Sequence, residues 1–386
     1  MIISNELEQI HPNFIHQSNM YSSFLEISQS ALNNNITYYK NHIGIHNKLA
    51  LVIKGNGYGH GLNTMGIIAQ HNDLVDWICV AHYSEALSLI DNGITKNILI
   101  LGYSIIQNVP LLYNNLYFMV DTLEYATYLN EIGKMHSHQF NVHIKIDTGL
   151  SRHGIHPTET KNFIKQLNKF SYIKINGIFS HFIASDSNEE VTNIQFNLFL
   201  KTIEFLIDTN ISIENIHMSN TAAITNLQYP IFCNMFRVGL GIYGFTNYFN
   251  NQNKSLQPAL TWKTHIIAIK TVPAHSYVSY ACTYKTTRTT KIALLPIGYS
   301  DGYQLRFSNK TCVIINNMIA SVIGRIGMNI TIIDVTDCKA TIDDEVILLG
   351  TIQAVQLTNI AQISNIYNVR EILTGLHPSI PRIITL

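Results

Sequence analysis

Residues 77–101 read WICVAHYSEALSLIDNGITKNILIL. The segment opens on an apolar run, WICV (77–80), passes through the amphipathic stretch SEALSLIDNG (84–93), and closes on a second apolar run, ILIL (98–101). Apolar runs of about 4–8 residues bounded by turn residues suit strands, and a longer amphipathic stretch suits a helix, so the segment predicts one strand–helix–strand unit. The pattern recurs on both sides. Further strand candidates are LVIK (51–54), YFMV (117–120), VHIKI (142–146), INGIFSHF (175–182), NIHMS (215–219) and VGLGIYG (238–244), with another amphipathic helix at NLFLKTIEFLIDTN (197–210). Eight strands alternating with helices over roughly 200–250 residues predict a parallel (β/α)8 TIM-like barrel.

After Gly244 the pattern changes. TNYFNNQNKSLQP (246–258) is polar and reads as a linker. Beyond it come the short runs THIIAIKTV, KIALLPI, TCVIINN, MNITIIDV and DEVILLG, with no long helix expected before about residue 355. We therefore expect a barrel domain with a short N-terminal extension over 1–250 and a mostly β domain over 251–386. The length of 386 residues, 46% of them hydrophobic and 13% charged, fits two compact domains. The 25 basic and 25 acidic residues cancel, so no basic field exists to attract nucleic acid or an anionic membrane. No apolar run reaches the ~18 residues of a membrane span. The first residues carry Glu6 and Glu8 and no continuous apolar stretch, so no secretory signal is expected. Five scattered cysteines without a CxxC pair point to a reducing, cytoplasmic setting. Seventeen dispersed histidines with no HExxH spacing give no metal site.

The sharpest local signal is KGNGYGHG (54–61), directly after the first barrel strand. Glycines there allow a tight turn and close backbone approach to a ligand. Lys54 would face the mouth of the barrel, where such folds keep their chemistry. A partly desolvated lysine loses proton affinity and becomes a nucleophile, the requirement for a Schiff base with an aldehyde cofactor. The alternative is a turn ending in a solvated lysine. In KIDTGLSRHG (145–154) and the residues before it, strand alternation points His143, Lys145 and Asp147 to one face. Charge inside a barrel needs a partner or a modification, so Lys145 is either salt-bridged or modified. His181, Asn220, Thr221 and Arg237 beside Gly239 fall at the ends of later strands, and a small hydroxyl residue there suits a phosphate. Each alone also fits a core or loop role; their shared location predicts a site. In the second domain SYA (279–281), PIGYSDGY (296–303) and GRIGM (324–328) read as compact turns. A tyrosine base would need its pKa lowered from about 10 by a cationic neighbour, and packing is the alternative for any tyrosine.

With KGNGYGHG, KIDTGLSRHG, HMSNTAA, RVGLGIYG, SYACTY, PIGYSDGY and GRIGM in this order, residues 22–386 resemble the alanine racemase family of fold-type III pyridoxal-phosphate enzymes. The family's lysine motif has alanines where Gly55 and Gly57 stand here. The resemblance implies a homodimer with shared active sites that interconverts L-alanine and D-alanine and supplies D-alanine for peptidoglycan. It implies that Lys54 holds pyridoxal 5'-phosphate and that Tyr280, reaching in from the partner chain, is the base on the opposite face. It further implies that Tyr58, Asn220, Thr221 and Gly239 lie at the phosphate, Arg237 at the pyridine nitrogen, His181 near the ring and Arg152 at the phenolic oxygen. Arg152, Tyr299 and Met328 would meet the substrate, and Lys145 would be the lysine often found carbamylated. One base per face meets the need of a racemisation. An arginine, which holds its proton, would disfavour a protonated ring nitrogen and so suppress transamination. Two departures stand out: Asn329 replaces the usual aspartate, and Pro378 falls where many members carry a phosphate-touching tyrosine. Pro378 makes a broad-specificity amino-acid racemase the alternative reading. A decarboxylase or lyase on the same barrel and a non-catalytic cofactor-binding barrel are the remaining rivals; the second is disfavoured by the β domain.

Overall fold

The computed structural model describes residues 21–106, 113–208, 211–226, 232–246 and 255–386. The N-terminal stretch examined for a signal, the end of the 197–210 helix and residues 247–254 of the expected linker lie outside the described residues. The first strand, β1 (Ser23–Ser28), leads through a helix, Gln29–Ile43, into eight parallel strands: β2 (Lys48–Val52), β3 (Trp77–Val80), β4 (Asn97–Ile100), β5 (Leu116–Val120), β6 (Phe140–Lys145), β7 (Ile173–Phe179), β8 (Asn215–His217) and β9 (Met235–Val238). Their spatial order is 8-7-6-5-4-3-2-9, so the sheet curls until its ends meet. At that seam the Asn234 amide donates to Ile216 O at 3.1 Å and Ile216 N–H donates to Asn234 Oδ1 at 2.9 Å. The result is the expected barrel, nearly closed.

Period-two alternation sorts the strand residues. Leu49, Leu51, Ile78, Val80, Ile98 and Ile100 face the helices in the main core, while Ala50, Val52, Trp77, Cys79, Leu99 and Met235 pack together as a small interior cluster. Six expected strands end earlier than the apolar runs imply, with ILIL, VHIKI and NIHMS stopping at Ile100, Lys145 and His217. The strand drawn over 51–54 stops at Val52, and β7 stops at Phe179. VGLGIYG is not a strand: β9 ends at Val238 and Leu240–Tyr243 forms a 3₁₀ turn. Glycine weakens strands, and here Gly241 lies under the Tyr39 ring, where an added Cβ would sit 2.2 Å from the phenol oxygen.

The second unit contains β10 (Leu260–His265), β11 (Ala268–Val272), β12 (Thr290–Leu295), β13 (Cys312–Ile315), β14 (Met318–Val322), β15 (Thr331–Asp334), β16 (Glu345–Leu349) and β17 (Arg382–Thr385). Together with β1 they form one nine-stranded sheet in the order 11-12-15-14-13-16-10-1-17. THIIAIKTV is therefore two strands, β14 joins β13 through the Asn316–Asn317 turn at φ 48° and 61°, and short helices follow at Leu357–Ile363 and Val369–Thr374. A boundary at 250/251 leaves β1 with the barrel, yet β1 pairs antiparallel with β10 and parallel with β17. Trp262 Nε1–H donating to Ser23 Oγ at 2.8 Å fixes that register. β1 and β17, the first and last described strands, thus lie side by side in the β unit.

The units also meet at the lysine loop. The Arg382 guanidinium donates to Gly59 O at 3.2 and 3.1 Å, and Gly59, at φ 83°, lies so close to the helix Val369–Thr374 that an added Cβ would sit 1.9 Å from Leu373 O. Gly59→Ala should cost about 2 kcal/mol or more, from left-handed backbone strain plus displacement of that helix. The measurement is the chemical-denaturation midpoint; an unchanged midpoint would show that the contact yields freely.

Candidate functional site

Lys54 opens a turn rather than continuing β2. Gly55, Asn56, Gly57 and Tyr58 all have positive φ, at 64°, 55°, 61° and 50°. Glycine tolerates that conformation freely and asparagine better than most, which suits Gly55, Asn56 and Gly57 to this turn. The turn is pinned by Gly57 N–H donating to Ile53 O at 2.8 Å and Gly55 N–H donating to Glu85 Oε1 at 2.8 Å. Glu85 also accepts from Ala81 N–H at 2.8 Å, so one carboxylate ties the lysine loop to the end of β3. Lys54 has its pKa lowered by burial, then by the charge of Arg152. The shift eases loss of the ammonium proton, which a nucleophilic amine requires.

His143 and Lys145 point into the barrel from β6, as alternation predicts, but Asp147 does not join them. The strand ends at Lys145, and Asp147 Oδ1 accepts from the backbone N–H groups of Gly149, Leu150 and Ser151 at 2.9, 2.9 and 3.2 Å. Three backbone donors satisfy a carboxylate better than a barrel interior would. Asp147 shapes the loop that carries Arg152. Lys145 is 3% exposed, and its Nζ has no hydrogen-bond partner among the described residues. It lies 4.7 Å from the centroid of the Phe179 ring. Burial and the neighbouring Arg237 and Arg152 hold its pKa well below the usual lysine range.

Arg237, also 3% exposed, projects inward from β9. Its guanidinium donates to Ser180 O at 2.8 Å, Met218 O at 3.3 Å, His181 Nδ1 at 3.3 Å and, through a short contact, His217 Nδ1. Because His217 Nδ1 accepts, its proton sits on Nε2, which donates to His143 Nδ1 at 2.9 Å. Burial, then Arg237, holds His217 and His181 well below the usual imidazole range and His143 at about 3. All three rings are neutral at physiological pH. This chain was missed in the sequence; the signal was the period-two spacing of His217 and Ser219 within NIHMS.

A cavity of about 920 Å³ opens at the C-terminal ends of the barrel strands. It brings together Lys54, Tyr58, Lys145, Arg152, His181, Asn220, Thr221, Arg237 and Gly239. Tyr58 stacks on Tyr243 with ring centroids 5.0 Å apart, and its hydroxyl lies 2.8 Å from where a Cβ on Gly239 would be. Thr221 Oγ1 accepts from Gly239 N–H at 3.2 Å and Gly241 N–H at 3.3 Å, leaving its hydroxyl hydrogen to donate elsewhere. Asn220 uses its side-chain carbonyl on Ala223 N–H at 2.9 Å and on Ser185 at 2.8 Å, a local capping role. Ser219, not singled out by sequence, lines the cavity with an Oγ that has no partner among the described residues. Five basic side chains (Lys54, Lys145, Arg152, Arg237, Arg370) line the cavity against two carboxylates, Glu85 and Asp186. That excess of basic groups, with the unpartnered Lys145 Nζ and Ser219 Oγ, fits an anionic guest.

Tyr280, Tyr299 and Met328 do not line the cavity. They are 72%, 41% and 58% exposed on the β unit. The structure nevertheless brings their turns together. Tyr299 N–H donates to Gly327 O at 3.1 Å, Ser300 N–H donates to Met328 O at 3.1 Å, and Ser279 Oγ donates to Arg325 O. Asn329 Nδ2 donates to Ser300 Oγ at 2.7 Å while that hydroxyl donates to Met328 O at 2.8 Å, so an amide fits there and an aspartate would lose the bond. Pro378 is exposed and outside the cavity, its carbonyl accepting from Arg382 at 2.9 Å. From the β unit, Arg370 and Thr374 line the cavity instead.

The two units and the lysine-centred cavity define a barrel enzyme working at the C-terminal ends of its strands. The family models "Alanine racemase, N-terminal domain" and "Alanine racemase, C-terminal domain" match residues 27–247 and 259–384. The alanine racemase of Halothermothrix orenii is 34% identical over 374 residues, covering 93% of this chain and 96% of that protein. That of Clostridium perfringens is 36% identical over 366 residues, covering 93% and 94%. Among solved structures, the alanine racemase of Clostridium difficile superposes with a TM-score of 0.86 at 31% identity, covering 95% and 96%. The Bacillus anthracis alanine racemase with bound L-Ala-P superposes at 0.85 with 27% identity, covering 95% of each chain. The chain belongs to the alanine racemase family and is an amino-acid racemase, an isomerase. No helix among the described residues is long and apolar enough to cross a membrane.

The Lys54 environment has a testable consequence. The neutral amine is the nucleophile, so protein stripped of any bound aldehyde should react with a neutral amine reagent with a midpoint below the ordinary 10.5. Arg152→Met removes a charge that lowers the pKa and should move that midpoint up. A wild-type midpoint at or above the ordinary value would contradict the assignment.

Proposed function

We propose that this racemase holds pyridoxal 5'-phosphate on Lys54 and interconverts L- and D-alanine with Lys54 and Tyr280 as the two bases. The observation that carries the reading is a cavity rich in basic side chains at the strand ends, built around a lysine whose pKa is lowered by burial. The L-Ala-P bound in the Bacillus anthracis relative supports alanine as substrate. When bound, the cofactor supplies an electron sink for negative charge at the substrate Cα. Tyr58, Thr221 and Gly239 would hold the phosphate, His181 would lie against the ring, and Arg237 would face the ring nitrogen. A guanidinium keeps its proton, since burial draws Arg237 down only to about 10, so it would disfavour a proton on that nitrogen. Lys54 would move a proton at Cα on one face, and Arg152 would orient the substrate carboxylate and the cofactor's phenolic oxygen.

The opposite face needs a second base, and Tyr58, the one tyrosine lining the cavity among the described residues, does not suit it, because its pKa is raised, chiefly by burial. We read the exposed Tyr280, with Tyr299 and Met328 beside it, as the wall presented to a second copy's cavity, which makes the enzyme a homodimer with shared sites. Lys145 we read as a carbamate: its neutral amine adds carbon dioxide, losing one proton, and the resulting anion pairs with Arg152. Five free cysteines support a cytoplasmic setting, where D-alanine would serve peptidoglycan synthesis. A broader substrate range is the second reading, favoured by the absence of any aromatic ring from the C-terminal segment in the cavity wall.

Purified protein loaded with the cofactor should convert L-alanine to D-alanine, followed by chiral chromatography alongside a panel that includes serine. A bound cofactor with no interconversion of any L/D pair sinks the proposal. Shared sites have their own test. Lys54→Ala and Tyr280→Phe should each be nearly inactive, yet unfolding and refolding them together in equal amounts should restore about a quarter of wild-type activity, because half the dimers then carry one intact site. No recovery from a properly dimeric mixture would place both bases in one chain.

A further inference from the structure

The helix Val369–Thr374 reaches the mouth of the barrel from the β unit and is fixed against the lysine loop. Leu373 O meets Gly59, and the Thr374 methyl lies 3.7 Å from where a Cβ on Gly55 would be. Arg370 and Thr374, four residues apart, therefore share the helix face that lines the cavity. Thr374 Oγ1 donates to Arg370 O at 2.7 Å, which secures the turn between them. The neighbouring Glu371 is engaged by Arg306 at 3.1 Å. The guanidinium of Arg370 is near enough to Tyr58 to oppose the burial that raises its phenol pKa. Tyr58 marks one corner of the cavity, with Gly239 and Thr221 beside it. That corner offers hydroxyl and backbone donors, all neutral. Arg237 and Lys145 are buried deeper in the barrel, and Lys54 is committed to the aldehyde.

We propose that Arg370 binds the phosphate of the cofactor, supplying from the β unit the positive charge that the corner formed by Tyr58, Thr221 and Gly239 lacks. The inference rests on the pyridoxal 5'-phosphate reading of the cavity. A phosphate monoester carries close to two negative charges at neutral pH, and neutral donors alone leave much of that charge uncompensated once water is excluded. Arginine presents a planar fork matched to phosphate oxygens. It also links cofactor retention to the β unit, so that the barrel alone is an incomplete phosphate site.

The test uses full-length protein, stripped of cofactor and titrated separately with pyridoxal 5'-phosphate and with unphosphorylated pyridoxal, followed by absorbance. For Arg370→Ala the Kd for pyridoxal 5'-phosphate should rise about 10- to 100-fold, the loss expected for one charge-assisted contact. The Kd for pyridoxal should stay within about twofold. Arg370→Lys should recover part of the loss, and added salt should weaken phosphate-dependent binding more in wild type than in Arg370→Ala. A matching thermal midpoint for Arg370→Ala and Arg370→Lys checks that both fold. Equal affinity of wild type and Arg370→Ala for pyridoxal 5'-phosphate overturns the inference, as does an equal loss toward both aldehydes, which marks a packing role. A wild-type protein that binds neither aldehyde overturns the cofactor reading and this inference together.

Discussion

The guanidinium of Arg237 is buried in the barrel with carbonyls and imidazole nitrogens as partners, and no carboxylate among the described residues accepts from it. A buried cation costs several kcal/mol unless its donors are matched, so the surrounding groups are constrained to be acceptors. That constraint sets the protonation of everything nearby. His217 must accept at Nδ1, which places its proton on Nε2 and forces His143 to accept in turn. The proton of His143 then lies on Nε2, which has no hydrogen-bond partner among the described residues and sits among the Trp77 and Tyr117 rings. The relay ends in aromatic packing rather than in an acid. It can orient Arg237, but it carries no negative charge that would draw the arginine's proton away.

Lys145 shares the same interior and multiplies the problem. Burial first, then repulsion from Arg237 and Arg152, makes its ammonium easier to deprotonate, and its pKa lies well below the usual lysine range. The linkage has a definite sign. A lysine whose folded pKa lies below its unfolded value binds fewer protons when folded, so its contribution to stability increases as pH rises through the window between the two values. An anion in the cavity relieves the same repulsion. Cofactor, substrate carboxylate and a carbamate on Lys145 are three such anions on the proposed reading, and each would stabilise the folded enzyme as it binds.

The barrel was legible because buried parallel strands are continuous apolar runs, and these recur between helices with little ambiguity. The cavity residues were legible because they stand just beyond those runs: Lys54 after β2, His181 after β7, Thr221 after β8. Strand ends were less so, since glycines in VGLGIYG looked like part of an apolar run and are in fact the start of a turn. β1 was hidden because its partners, β10 and β17, are more than 200 residues away in sequence, and pairing at that distance leaves no local mark. Asp147 obeyed alternation on paper, but the strand stopped first. Arg370 lies on a six-residue helix with no motif around it, and only the fold shows that the helix covers the mouth of the barrel.

Tyr280 shows how far geometry carries beyond pattern. Ser279, Ala281 and Cys282 have φ of 61°, 60° and 51°, values that non-glycine residues adopt at a cost of about 1–3 kcal/mol each. Such strain persists only where the surroundings over-determine it. Here Ser279 Oγ is held by Arg325 O, and Gly324 packs so tightly that a Cβ there would lie 2.5 Å from Val278 O. The turn is therefore rigid while the ring it presents is 72% exposed. A solvated surface tyrosine needs no such support. A tyrosine that must meet a neighbouring cavity at a fixed distance does, because a base misplaced by an ångström forfeits much of its catalytic advantage. On the proposed reading, the strain in the 279–282 turn holds Tyr280 where a second copy's cavity would meet it.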